Sequence, residues 1–416
     1  MSTTIAYDNA GRVTGTTIST SSKTLGKLVY TLDAASQITT ETSTSLGATR
    51  TFTNDAAGRV TKENTTLYAY DAAGELTKNG ATTQGYDAAS QLTTAVVGST
   101  STAYTFDARG DRTKATTGTT VATYGYDQVN RLTSFARGTT TASYTYNGDG
   151  LRASKKVGST TTKFVYDTAE GMPLILTDGA IYYLYGPGGI PYAQITTAGV
   201  VTYLHADQLG SIRMLTDSTG KSVGTATYTA YGTRTTTGTT SAFGYAGQYT
   251  DTETGLQWLR ARYYDPTTGQ FLTVDPLTAA TGARYSYATG NPITGADPSG
   301  LFDWGTFSAG VVNTVWGTVK VAQGAAIVLL GATATVTGIG TLPGVLADAY
   351  GVYQIGSGFA KVAKGARQVS TSLESDDSLK TCDVAGNLVR FVWGTVPGGA
   401  FLDSHTDWLD KWGSLP

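Results

Sequence analysis

The chain has 416 residues, long enough for two or three domains, with a formal net charge of −2 and 14% charged residues. That balance gives no electrostatic case for a nucleic-acid partner. The single cysteine, Cys382, excludes an intramolecular disulfide.

The N-terminal residues Met1 to Asp8 lack the basic start and apolar core of a signal peptide, so export is expected to need a longer parent chain or another route. A repeat begins at once. It runs Tyr7-Asp-Asn-Ala-Gly-Arg-Val-Thr, Tyr70-Asp-Ala-Ala-Gly-Glu-Leu-Thr, Tyr86-Asp-Ala-Ala-Ser-Gln-Leu-Thr, Phe106-Asp-Ala-Arg-Gly-Asp-Arg-Thr, Tyr126-Asp-Gln-Val-Asn-Arg-Leu-Thr and Tyr146-Asn-Gly-Asp-Gly-Leu-Arg-Ala. Degenerate copies sit at Asp33 and Asp55, and half a copy at Tyr166-Asp167. From Asp87 through Asp107, Asp127 and Asn147 to Asp167 the spacing is 20 residues, which predicts one hairpin per repeat. Asp in the first position and Gly in the fourth fit a type I turn, with the carboxylate accepting from backbone amides two residues on. Asn130 suits the fourth position, whereas Ser36 and Ser90 are costlier there. Aromatics two apart, such as Tyr104 and Phe106 or Tyr144 and Tyr146, fall on one face of a strand. The resulting stripe reads as interstrand packing; a carbohydrate-binding ladder is the alternative. Carboxylates are too sparse per repeat for a calcium cage, so no metal and no cofactor is expected.

This unit resembles the YD repeat of bacterial RHS proteins, toxin-complex C subunits, wall-associated proteins and animal teneurins. The resemblance covers roughly residues 1–301 and implies a mainly β fold, an antiparallel hairpin array forming part of a hollow shell around the C-terminal segment. The expected division is a repeat array over 1–200, an RHS core over 201–301 and a variable, helical C-terminal region over 302–416.

In the core, His205-Ala-Asp-Gln-Leu-Gly-Ser211 looks like an RHS motif, and the run from Arg262-Tyr-Tyr-Asp-Pro266 to Asp275-Pro276 matches the family's most characteristic stretch. His205 has no serine, acid or metal pattern around it, which favours a capping or core hydrogen-bond role. Asp275 and Asp297 each precede proline, which restrains the local turn. Between them lie an expected aromatic strand, Tyr285-Ser-Tyr287, and Asn291-Pro292; Asp297-Pro-Ser-Gly-Leu301 closes the series. In the resembled family this arrangement is a self-cleaving aspartyl protease. Carried over, Asp275 and Asp297 are the dyad and Leu301–Phe302 the scissile bond. Arg262 is expected to hold a carboxylate charged, and Gly300 to let the chain pass close to the dyad. Asp265-Pro266 reads as structural.

Residues 321–347 carry no charge, and glycines recur every seventh residue from Gly310 to Gly338 and from Gly344 to Gly365. Seven residues make about two helical turns, so the pattern predicts a helical hairpin over 307–369 packed through glycine stripes. The uncharged run exceeds the roughly 20 residues that span a bilayer. Membrane contact and a soluble or shell-packed hairpin both stand as readings.

The resemblance implies a self-processing carrier that frees a C-terminal toxin-like region. Its partners would be that segment as encapsulated cargo, other shell or secretion components and a cognate immunity protein, at a secreted or cell-surface location. The competing readings are a wall-bound, adhesive repeat protein without catalysis and a truncated gene remnant.

Overall fold

A computed structural model describes residues 2–169, 172–278 and 282–301. The helical hairpin expected at 307–369, the Phe302 side of the expected cleavage bond, His405 and Cys382 lie outside the described residues. Among the described residues no helix is long and apolar enough to cross a membrane.

The described chain is antiparallel β throughout. Seventeen strands from Ser2–Tyr7 to Thr160–Lys163 pair, each with its chain neighbour, in one open sheet. A second sheet of eight strands runs from Val165–Asp167 to Arg234–Gly238 without a break at residue 200. A four-stranded sheet follows, from Tyr249–Thr250 to Gln270–Phe271.

The repeat makes this architecture through its turn. Asp71 accepts the Gly74 amide on its carbonyl at 3.1 Å, while its Oδ1 takes the amides of Ala73 and Glu75, both at 2.9 Å. The same double acceptance recurs at Asp8, Asp33, Asp55, Asp87, Asp107, Asp127 and Asn147. The fourth turn residue is left-handed: Gly74 has φ 86°, and Ser36, Ser90 and Asn130 have φ 63°, 61° and 61°. Glycine takes that conformation without penalty, and the serines carry steric cost there. Asp207 and Asp217 build the same turn in the second sheet, so the repeat continues beyond its recognisable copies.

The tyrosine of the repeat has its own task. From Tyr70 onward, each tyrosine hydroxyl reaches back to the preceding repeat and donates to the carbonyl of the residue five beyond that repeat's turn aspartate or asparagine. Tyr70 bonds Val60 at 3.0 Å, Tyr86 Leu76 at 2.9 Å, Tyr126 Arg112 at 2.8 Å, Tyr146 Leu132 at 2.6 Å and Tyr166 Arg152 at 2.7 Å. A buried hydroxyl needs a partner, and this one ties hairpin to hairpin. Phe106 lacks the hydroxyl and instead meets Tyr285 edge-on at 5.7 Å. A one-residue bulge sits at these aromatics, between Thr105 and Phe106, Gly125 and Tyr126, and Thr145 and Tyr146. Bulges increase local twist and bend the strand.

The aromatic stripe is a packing surface. Tyr144 meets Tyr263 at 5.7 Å, Phe164 meets Tyr249 at 5.5 Å and Tyr166 meets Trp258 at 5.8 Å, so the repeat rings cover the small sheet. The four-residue strand Arg262–Asp265 is buried along its whole length.

Regular strands end at Phe271, short of residue 300. Tyr285-Ser-Tyr287 is not a strand; only an isolated bridge from Ser286 to Gln270 joins it to the sheet. Its two tyrosines are both buried in different packings. Tyr285 donates to the Gly110 carbonyl at 2.8 Å, and Tyr287 stacks on Tyr264 at 4.2 Å. Proline at 276, 292 and 298 removes ladder donors and breaks this stretch into turns.

Candidate active site

Asp275, Asp297, Arg262 and Gly300 converge. Arg262 lies in the strand Arg262–Asp265, whose partner strand Gln257–Leu259 is joined to it by the two-residue turn Arg260-Ala261. The Arg262 guanidinium is buried against the face of Phe271, 3.6 Å from the ring centroid. Its Nη2 donates to Asp275 Oδ2 at 3.0 Å and to Asp297 Oδ2 at 3.4 Å, so both carboxylates touch one nitrogen. Its Nε donates to the Gly300 carbonyl.

Each aspartate is fixed by its own turn. Asp275 Oδ1 accepts the Leu277 amide at 2.8 Å, and its carbonyl accepts the Thr278 hydroxyl at 2.6 Å. Asp297 Oδ1 accepts the Gly300 amide at 2.8 Å, the Leu301 amide at 3.2 Å and the Ser299 hydroxyl at 3.1 Å. The carboxylate thus lies within one residue of the expected scissile carbonyl. Leu301 is fully buried.

The electrostatics favour a retained proton. Burial raises the Asp275 carboxyl above the usual range, against the opposing pull of Arg262 and the Leu277 amide. Burial also lowers Arg262, and the two carboxylates push it back up. Arg262 touches both carboxylates and Arg260 also acts on Asp297, so the rise at Asp275 comes from burial rather than from an excess of negative charge.

Gly300 is required here. Its φ is 70°, and a Cβ would fall 2.4 Å from the Leu259 carbonyl oxygen and 2.9 Å from the Arg262 amide nitrogen. The close neighbour is therefore the hairpin backbone rather than the carboxylates themselves.

The other sequence candidates lie elsewhere. His205 Nδ1 pairs with the Thr3 hydroxyl at 2.9 Å and Nε2 with the Thr216 hydroxyl at 3.0 Å, a core hydrogen-bond role. Burial, then the nearby N-terminal charge, lowers its pKa to about 4, which keeps it neutral. Asp265 pairs with buried Arg112 at 2.8 Å. Among the described residues no cluster of His, Cys, Asp or Glu has the makings of a metal site.

Sequence reasoning missed a set of buried ion pairs. Arg152 meets Asp251 at 2.5 Å, and Lys155 bridges Asp251 and Glu253 at 2.9 and 3.0 Å. Arg213 meets Glu41 and Asp207, both at 3.2 Å. A signal existed for two of them. Arg112 and Arg152 occupy the position five beyond the turn aspartate or asparagine, where other copies bury Ile38, Val60, Leu76, Leu92 and Leu132. An arginine in an aliphatic core position calls for a buried acid opposite.

The Teneurin YD-shell family model matches residues 1–132, 78–185 and 177–289. The chain belongs to that family. Among curated relatives, it is 36% identical over 138 residues to the tRNA nuclease WapA of Bacillus subtilis (strain 168), a stretch covering 31% of this chain and 6% of WapA. It is 30% identical over 161 residues to the double-stranded DNA deaminase toxin A of Burkholderia cenocepacia (strain H111), covering 32% and 11%. The probable deoxyribonuclease RhsA of Dickeya dadantii (strain 3937) is 42% identical over 67 residues, covering 16% and 5%. The chain thus spans only a small part of these relatives' lengths. The solved Photorhabdus luminescens Tc holotoxin pore superposes with TM-score 0.54 at 17% identity, covering 72% of this YD-shell chain and 18% of the toxin chain. TcdB2-TccC3-TEV gives 0.53 at 18% identity, covering 72% and 18%. These two likenesses bear on the fold alone.

Proposed function

We propose that this YD-shell chain is a toxin carrier that cuts itself between Leu301 and Phe302, with residues 1–200 as array, 201–301 as protease core and 302–416 as released cargo. The observation that carries the reading is the Arg262 guanidinium, which touches both Asp275 and Asp297 and also holds the Gly300 carbonyl, one residue ahead of the bond to be cut. The names of the relatives, two nucleases and a deaminase toxin, support a toxic cargo as the class of the C-terminal region.

The chemistry needs one protonated and one ionised carboxyl. The ionised aspartate takes a proton from water as the water oxygen bonds to the Leu301 carbonyl carbon. The protonated aspartate gives its proton to the carbonyl oxygen. As the tetrahedral intermediate collapses, the aspartate that took the water proton passes it to the Phe302 nitrogen, the other aspartate takes back the hydroxyl proton as the carbonyl reforms, the C–N bond breaks and the Phe302 amine leaves with the dyad restored. Arg262 favours the ionised member and keeps both carboxyls in reach. No metal or cofactor is required by this scheme.

The test is the intact mass of the folded, full-length chain under denaturing conditions. Cleavage yields a new N-terminus at Phe302 and a 115-residue tail. Asp275→Asn and Asp297→Asn should each leave the chain whole. A wild-type chain that stays whole, or Asn variants that cut equally well, would overturn the protease reading. Fragments beginning at Pro266, Pro276 or Pro298 would instead report acid scission at Asp-Pro bonds.

A further inference from the structure

The turn that carries Arg262 grips the chain ahead of the expected cut at three successive residues. Arg260 Nη1 donates to the Pro298 carbonyl at 2.7 Å. The Ala261 amide donates to the Ser299 carbonyl at 3.2 Å. Arg262 Nε donates to the Gly300 carbonyl. Residues 260, 261 and 262 thus take the carbonyls of 298, 299 and 300 in order. The next carbonyl, that of Leu301, is the first in the run that accepts no hydrogen bond from a described residue.

Arg260 is costly to keep in this form. It is a non-glycine residue at φ 60°, in the left-handed region. All its hydrogen-bond partners are neutral: the Pro298 carbonyl, the Gln248 Oε1 at 2.6 Å and the Pro173 carbonyl at 3.2 Å. Its nearest acid influence is the Asp297 carboxylate, which acts on it through charge without a hydrogen bond and only partly offsets burial. Burial accordingly lowers its pKa to about 10. A buried arginine spent on three neutral acceptors, two of them chain carbonyls, fits a group that fixes the path of a strand. The absent Cβ of Gly300 permits that path, because the gripped segment runs in van der Waals contact with the hairpin backbone.

We infer that the Arg260–Arg262 turn is a register clamp for the self-cleavage reaction, with Arg260 a positioning residue that sets which carbonyl reaches Asp275 and Asp297. The inference rests on the protease reading. On this view the cut is counted from Pro298: three carbonyls are held and the fourth is attacked. The side chain of residue 302 then has no part in choosing the bond.

Two variants of the full chain test this. In the first, one alanine is inserted between Leu301 and Phe302, outside every clamp contact. The clamp requires the cut to stay after Leu301, so that the released tail begins at the inserted alanine. A tail that still begins at Phe302 means recognition follows the Phe302 side chain, and the clamp is wrong. In the second, Arg260→Ala should slow cleavage at least about tenfold, and Arg260→Lys, which keeps the positive charge that acts on Asp297, should restore part of the rate. Wild-type rate in Arg260→Ala overturns the clamp alone, since the dyad still cuts. A wild-type chain that never cuts overturns the protease reading and the clamp together.

Discussion

The pairing of Arg112 with Asp265 allows a quantitative test of how the array holds its core. Asp265 Oδ2 accepts from Arg112 Nη1 at 2.8 Å, and Oδ1 accepts the Thr267 amide at 3.0 Å and the Thr267 hydroxyl at 2.5 Å. Arg112 is buried, with its guanidinium 4.7 Å from the centre of the Tyr104 ring. Asp265→Asn keeps the shape and one acceptor but removes the charge facing a buried guanidinium. Removing one partner of a buried pair costs about 3–5 kcal/mol, and the retained acceptor places this variant near the lower figure, about 3 kcal/mol. Arg112→Leu should cost a similar amount by stranding Asp265. The double variant returns to the position the aliphatic residue found in other repeats, and buried pairs replaced by apolar groups lose little. It should therefore be no worse than either single variant, giving a coupling of at least about 3 kcal/mol between the sites. Urea unfolding followed by the circular dichroism of the β-sheet reads all four proteins. Additive single effects would refute the argument. Asp265→Asn should also still cut after Leu301.

Further outcomes follow from other sites. Gly300→Ala should stop or severely slow cleavage by forcing the segment off the Leu259 carbonyl, measured by the fraction of intact mass over time. Ser36→Gly should stabilise the shell by about 0.5–1 kcal/mol by relieving the left-handed φ of 63°, read as a raised unfolding midpoint. Asp111 is buried and burial raises its pKa to about 6, with Asp107 adding to the rise. A raised acid favours the folded state fully only below the unfolded pKa and loses that contribution as pH rises through about 6. Asp111→Asn should therefore melt higher than wild type at pH 8, with the gain shrinking to nothing near pH 4. Because Asp275 is raised in the same sense, cleavage should slow as pH rises above its carboxyl range, with a single protonation governing the decline.

The repeat was legible because its chemistry is local. An aspartate that bonds amides two and four residues on leaves a spacing in the sequence, and so does the alternation of aromatics along one strand. The meeting of Asp275 and Asp297 at Arg262 was legible only through resemblance, since the contacts that bring them together span 13 and 35 residues. The purpose of the repeat tyrosine was hidden, because its acceptor is a backbone carbonyl in the previous hairpin and carries no residue type. Tyr285 and Tyr287 mislead by their period of two: the stretch has the spacing of a strand but packs its rings against Phe106 and Tyr264. The hairpin turn at Arg260-Ala261 has no glycine to mark it, and its left-handed arginine is held by tertiary hydrogen bonds.

The two arginines in aliphatic positions also constrain how the array can change length. Arg112 and Arg152 stand two repeats apart and engage Asp265 and Asp251, two fixed points on the small sheet. Loss or duplication of a hairpin outside that interval leaves the spacing between the two arginines unchanged. Loss of a hairpin inside it puts one arginine out of phase with its acid and strands two buried charges. Arg112 and Arg152 therefore hold the central forty residues in register with the small sheet, and the buried Glu41–Arg213 pair keys the earlier hairpins to the second sheet in the same way, so whole-module changes in length are disfavoured on both sides of residue 107.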